Sequence, residues 1–163
     1  CRSLQKEGAY MYKSILVPYD NSDHAKNAVK AAIELAEPVD GTVTLLSVSD
    51  LPSFDDLAFV SAARLAGVPN VSDEQVKEIQ REFYANLKAR LIENAAPVVG
   101  DFKNVEYRAT AGKATVAIVE FAESGNYDMI IMGCRGLSAI RGAMGSVSYA
   151  VARSVKLPVM IVK

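Results

Sequence analysis

The chain has 163 residues and a formal net charge of −1 at pH 7, a length that suits a single domain with one hydrophobic core. Hydrophobic residues make up 50% of it and charged residues 23%, which excludes a disordered or fibrous protein. There is no basic excess and no apolar run near the roughly 20 residues of a membrane helix, so neither nucleic acid nor a membrane is a predicted partner.

The N-terminal residues 1–10 have no apolar segment of the signal-peptide kind. We expect them to form a mobile extension, followed by one domain over residues 11–163. The two cysteines, Cys1 and Cys134, are far apart in the chain and show neither a disulfide framework nor metal-ligand spacing. This cysteine usage predicts a reducing, cytoplasmic location.

Five segments have the pattern of β-strands. The first and fourth in chain order are short apolar runs of the kind that is buried in a parallel sheet, and the second is rich in β-branched residues. The third alternates, as a less buried strand does. The predicted strands are residues 15–17, 42–48, 105–109, 129–132 and 158–162.

Helical patterns lie between these strands. Ser22 is a predicted N-cap of a helix that ends at Pro38 and Gly41, and Ser72 with Gln75 has the spacing of a capping box. The second helix carries an apolar stripe from Val76 to Leu91, interpreted as core packing, and is predicted to stop before Pro97. Further helices are predicted around residues 57–65, 116–121 and 147–155.

Alternating strands and helices indicate an α/β fold, an open parallel sheet with helices on both faces. Ligands of such sheets bind beyond the carboxyl ends of the strands, where the strand order reverses. Two loops are candidates for that place, residues 18–22 after the first strand and residues 133–148 after the fourth.

The second loop has the chemistry of a phosphate site. Glycines let backbone amides approach an anion closely, and the following helix N-terminus adds unpaired N–H groups. Ser146 and Ser148 offer hydroxyls, and Arg135 and Arg141 offer positive charge. The spacing matches neither the Walker loop nor the dinucleotide fingerprint, and an ordinary turn with a capped helix explains the same glycines.

Four segments together resemble the universal stress protein family: residues 17–22 (VPYDNS), 132–136 (MGCRG), 145–148 (GSVS) and 157–162 (LPVMIV). The resemblance spans residues 11–163. It implies a flavodoxin-like, five-stranded sheet of order 3-2-1-4-5 that binds ATP, or AMP or ADP, with Mg²⁺ or Mn²⁺ on the phosphates. It also implies a homodimer that pairs the last strands, residues 158–162.

The same resemblance assigns roles by position. Asp20 would contact the ribose or adenine, Val48 would lie beside adenine, and Met132 with Gly133 would lie under the adenosine. Four further residues would hold the phosphates: Gly136, Gly145, Ser146 and Val147. Gly112 would open a helix near the pocket. The complete implied set is Pro18, Asp20, Val48, Gly112, Met132, Gly133, Arg135, Gly136, Gly145, Ser146, Val147 and Ser148.

One departure from the family pattern concerns loop length. Eight residues, 137–144, separate Gly136 from Gly145, whereas the nucleotide-binding branch usually has nine. The additional Gly142 offers a way for the shorter loop to close on a phosphate. The alternative function is therefore a dimeric scaffold of the same fold that binds no nucleotide.

Other residues have simpler interpretations beside the functional ones. Asp20 also suits an Asx turn. His24 is expected to be a surface histidine without a partner, and Cys134 a small residue in an exposed loop, with redox sensitivity as the alternative. Because no nucleophile, base and orienting group assemble, no enzyme is predicted. An adenylating or pyrophosphatase enzyme would need a glycine-rich loop where Asp20 stands.

Overall fold

The computed structural model describes residues 12–50, 72–136 and 144–163. Its elements, in chain order, are β1 (Ser14–Pro18), α1 (Asp23–Ala36), a 3₁₀ turn (Glu37–Val39), β2 (Thr42–Ser49), α2 (Asp73–Val99), β3 (Val105–Ala111), α3 (Ala114–Ser124), β4 (Met129–Gly133), α4 (Ser146–Ser154) and β5 (Val159–Val162). The predicted extension at residues 1–10 and the helix predicted around residues 57–65 lie outside the described residues.

The strands form one parallel sheet of order β3-β2-β1-β4-β5, so the predicted fold and strand order are confirmed. β1 is central and pairs with both β2 and β4, with Ile15 opposite Val43 on one side and Met129 on the other. β3 lies at an edge and alternates between half-buried and exposed residues. Its alternating sequence follows from that position, because one face of this strand is largely in solvent.

Two apolar layers sandwich the sheet. Alternate residues of each central strand point to opposite faces, so Ile15 and Ile131 pack against α1 and α2. Leu16 and Ile130, their sequence neighbours, pack against α3 and α4. All four are fully buried. The continuous apolar runs in the sequence are therefore explained by burial on both sides.

α2 continues through Pro97 to Val99, so the prediction that it stops before the proline was wrong. Proline removes one backbone donor in the last turn, but Ala95 and Val99 on that turn are buried in the core and hold it in place. Gly100 then ends the helix with a φ of 59° and an N–H bond to Ala96 O. Although α2 has 27 residues, neither it nor any other described helix is long and apolar enough to cross a bilayer.

Candidate functional site

A cavity of about 800 Å³ opens at the carboxyl ends of β1, β2 and β4. The strand order reverses between β1 and β4, because β2 and β3 lie on one side of β1 and β4 and β5 on the other. The loop after β1, the loop after β4 and the N-terminus of α4 all reach this point. The cavity therefore lies where ligands bind in open α/β sheets.

The structure brings together the predicted site residues with one exception. Those lining the cavity are Pro18, Asp20, Val48, Met132, Gly133, Arg135, Gly136, Gly145, Ser146, Val147 and Ser148. Gly112 does not line it. This glycine has a φ of 127° and donates its N–H to Ser49 O over 2.8 Å, so its role is to turn the chain between β3 and α3.

The loop after β1 is built by two side-chain-to-backbone bonds. Asp20 Oδ1 accepts the N–H of Ser22 over 3.0 Å, which forms the Asx turn. Ser22 Oγ accepts the N–H of Ala25 over 3.2 Å, which confirms Ser22 as the N-cap of α1. A Cβ at Gly136 would lie 2.6 Å from Asp20 Oδ2. The carboxylate thus has one oxygen in the turn and the other beside the glycine loop after β4.

Cys134 joins the loop after β4 to its neighbours through its backbone. Its carbonyl oxygen accepts the N–H of Gly145 over 2.8 Å and the hydroxyl of Ser148 over 3.0 Å. Its N–H donates to Val162 O at the end of β5 over 2.7 Å. The Gly145 amide and the Ser148 hydroxyl, both predicted to hold phosphate, therefore donate to Cys134 O within the chain.

The groups still directed to an anion lie at the start of α4. The N–H groups of Ser146 and Val147 are in the first turn, where no intrahelical acceptor exists, and Gly145 supplies no side-chain cap. The exposed Ser146 adds a hydroxyl, and the half-buried Arg135 adds a positive charge at the same wall. This smaller set keeps the chemistry of an anion site.

His24 and Cys134 form a pair that the sequence did not indicate. Cys134 is 6% exposed, and its Sγ lies 3.6 Å from His24 Nδ1. The expectations of an exposed cysteine and of a histidine without a partner were therefore wrong. The two residues are 110 positions apart, so only the tertiary approach of α1 to the end of β4 reveals the contact. Neither residue lines the cavity.

Charge in the cavity is mixed. Asp20 and Asp50 contribute negative charge, and Arg90 and Arg135 contribute positive charge. Tyr19 belongs to the loop after β1, and its burial, together with the nearby Asp20 carboxylate, raises the pKa of its phenol above the ordinary value of 10. The phenol therefore remains a hydrogen-bond donor at neutral pH.

Helix α2 supplies a wall of the cavity that the sequence did not predict. Leu87, Arg90, Leu91 and Asn94 line it at spacings of three and four residues, as one face of a helix does. The apolar stripe of α2 was interpreted as core packing alone. Leu91 is buried as expected, but Ile79 of the same stripe is 48% exposed. Arg90 and Asn94, two polar residues four positions apart beside the stripe, were the signal in the sequence that this side of the helix borders a cavity.

Known proteins resemble this chain over nearly its whole length. The family model described as the Universal stress protein family matches residues 11–163. Universal stress protein MJ0531 of Methanocaldococcus jannaschii is 30% identical, with 99% of this chain and 88% of that protein covered. The structure of protein MJ0577 is 25% identical, with a TM-score of 0.68 and 94% and 96% of the two chains covered.

A crystal structure of a universal stress protein in complex with cAMP shares the fold, with 23% identity, a TM-score of 0.57 and 94% and 98% of the two chains covered. The family model alone spans the whole domain that carries the cavity. The parallel sheet of order 3-2-1-4-5 and the two loops at its switch point lie within that match. The chain therefore belongs to the Universal stress protein family.

Proposed function

We propose that this protein binds an adenine nucleotide in the cavity at the switch point and acts as a nucleotide-responsive stress module in the cytoplasm. The observation that carries the proposal is the cavity itself, which is lined by both the N-terminus of α4 and Arg135. Its volume of about 800 Å³ lies within the range of small-molecule sites, roughly 300–1,000 Å³. The nucleotide in the cAMP complex of a related fold supports the ligand class.

The residues present fit such a ligand chemically. Ser146 and Val147 supply N–H donors for phosphate, Arg135 supplies charge, and the Asp20 carboxylate suits ribose hydroxyls or the adenine amino group. The cavity does not include the Cys134–His24 pair, so the proposal assigns binding and no catalysis.

Bound ATP would carry Mg²⁺ or Mn²⁺. Within residues 12–50, 72–136 and 144–163, no cluster of three or more His, Cys, Asp or Glu residues suits a metal ion, so phosphate oxygens would be its main ligands.

A thermal-shift titration with ATP, ADP and AMP, with and without magnesium, tests the proposal. A ligand at 100 times its Kd adds about 2.7 kcal/mol to the free energy of unfolding. For a domain of this size that corresponds to a rise in Tm of about 5–10 °C. An unchanged Tm with every nucleotide at millimolar concentration contradicts the proposal.

Replacing Ser146 with aspartate should separate binding from folding. A carboxylate in the first turn of α4 favours the helix by about 0.3–1 kcal/mol, so the variant should melt no lower than the natural protein. The same charge at the anion site should weaken ATP binding at least tenfold, measured by calorimetric titration, because like charges repel strongly in a partly buried site.

Ser146→Asn is the matched control, because asparagine has nearly the same shape as aspartate but carries no charge. We expect it to retain most of the affinity. Raising the salt concentration should narrow the gap between the two variants, because salt screens the repulsion. If Ser146→Asp binds ATP as tightly as Ser146→Asn, the phosphates do not lie at the start of α4.

A binding-incompetent scaffold is the second candidate function. Two observations favour it: the loop between Gly136 and Gly145 is one residue short of the pattern of the nucleotide-binding branch, and the Gly145 amide bonds Cys134 O instead of facing the cavity. For this candidate the melting temperature is independent of nucleotide. The thermal-shift titration therefore decides between the two functions directly.

The proposed assembly is a homodimer through the last strand. β5 pairs with β4 on one side and forms an edge of the described sheet, with Met160 39% exposed. An apolar edge strand tends to pair with another strand, and a symmetry mate gives a closed dimer. Sedimentation velocity at micromolar concentration should give twice the chain mass of 17.5 kDa. A single monomeric species over the same concentrations contradicts the proposal.

A further inference from the structure

We infer that α2 forms the nucleoside end of the cavity and that Arg90 is a binding residue that contacts the base of the bound nucleotide. The inference rests on the proposed nucleotide binding and names a residue outside the phosphate loop. It comes from three features of the described structure: the position of α2 in the fold, its tether to the loop after β1, and the chemistry of its cavity face.

α2 lies on the opposite side of the cavity from the candidate phosphate groups at the start of α4. α2 packs against β2 and β3, whereas the candidate phosphate groups follow β4, on the other side of the central strand β1. Arg90 and Asn94 line the same cavity as Ser146 and Val147. A ligand whose phosphates bind at the start of α4 therefore extends its nucleoside across the end of β1 towards β2 and α2.

The tether is a partly buried hydrogen bond between Tyr19 and α2. Tyr19 is 5% exposed, and its hydroxyl donates to Asn94 O over 3.0 Å and contacts Asn21 Oδ1 at 3.2 Å. This contact fixes one turn of α2 against the loop that carries Asp20. Arg90 is one helical turn before Asn94, so its backbone position relative to Asp20 is set by the same bond.

The chemistry of the cavity face suits a planar base. Leu87 and Leu91 flank Arg90 on α2 and are half-buried and buried, so they give apolar contact. In the described part of the chain, Arg90 has no ion pair or side-chain hydrogen bond. A guanidinium is planar and stacks on aromatic rings, which an ammonium does less well. Purine rings present such a face.

Calorimetric titration of Arg90→Ala with adenosine, AMP, ADP and ATP tests the inference. Loss of a stacked guanidinium at an exposed site should weaken all four ligands by the same factor, about two- to fivefold. Arg90→Lys keeps the charge but loses the plane, so its affinities should fall between those of Arg90→Ala and the natural protein. Arg81→Ala is the control, because Arg81 lies on the same helix outside the cavity and pairs with Glu78 at the surface.

Three results would overturn the inference. Equal affinities for Arg90→Ala and Arg81→Ala would show that Arg90 makes no contact with the ligand. A loss that grows from adenosine to ATP and shrinks at high salt would place the guanidinium on the phosphates instead. If the natural protein binds none of the four ligands, the proposed function itself fails, and Arg90 has no nucleoside to contact.

Discussion

Truncating Ile131 to alanine is expected to lower the free energy of unfolding by about 2–5 kcal/mol, the usual cost of removing a large aliphatic side chain from a core. Ile131 is fully buried in β4 and packs in the layer between the sheet and helices α1 and α2. The cluster around it holds residues of β1, β2, α1 and α2, and a site whose neighbours come from several packed elements collapses only in part when a side chain is removed. Chemical denaturation in urea gives the free energy directly.

Ile79→Ala is the matched control for this experiment. It removes the same atoms from a side chain that is 48% exposed, and a surface substitution of this kind changes stability by about 0.5 kcal/mol or less. The m-value should be unchanged in both variants if each remains two-state. Equal losses at the two positions would contradict the assignment of Ile131 to the core.

Adding one methyl group at Gly133 is expected to lower stability by about 1–3 kcal/mol, the range for overpacking. A Cβ at Gly133 would lie 2.8 Å from both the carbonyl carbon and the Cβ of His24, and 3.0 Å from Ala25 N. These are mostly backbone atoms of the first turn of α1, which Ser22 caps and whose Ala25 is buried. Either α1 or the end of β4 must therefore move.

Gly136→Ala is the control for Gly133→Ala. The near atom at Gly136 is Asp20 Oδ2, at 2.6 Å, which is the far end of a side chain and can shift slightly while Oδ1 stays within hydrogen-bond distance of the Ser22 N–H. We expect Gly136→Ala to unfold within about 0.5 kcal/mol of the natural protein, measured by the same urea titration. If the two glycine variants lose equal stability, the close approach of β4 to α1 is not what requires glycine at position 133.

The fold was predictable because the residue pattern of each central strand indicates whether one or both of its faces are buried. Residues such as Ile130 and Ile131 follow each other without a polar interruption, a pattern typical of strands that are buried on both faces. β3 alternates because it is an edge. The end of α2 was not predictable from local signals, since the burial of Ala95 and Val99 in the core outweighs the helix-ending tendency of Pro97.

The sequence predicted which loops form the candidate site, but it did not predict which way several of their side chains point. Glycine and serine spacing located the loop after β4, but it did not show that the Ser148 hydroxyl turns inward to Cys134 O. The sequence did not predict Arg90 as a cavity residue, for a different reason. The bond that brings α2 to the loop after β1 joins Tyr19 to Asn94, 75 positions away, and no local pattern records a contact over that separation.

The backbone of Cys134 has a thermodynamic consequence for any assembly through β5. Its carbonyl oxygen accepts bonds from the start of α4, and its N–H donates to Val162 O, so one residue contacts both the start of α4 and the last strand. In a dimer formed by that strand, occupancy and association are reciprocal. If nucleotide changes the dimerisation constant by some factor, dimerisation changes nucleotide affinity by the same factor. Protein concentration would then act as an allosteric effector of this protein.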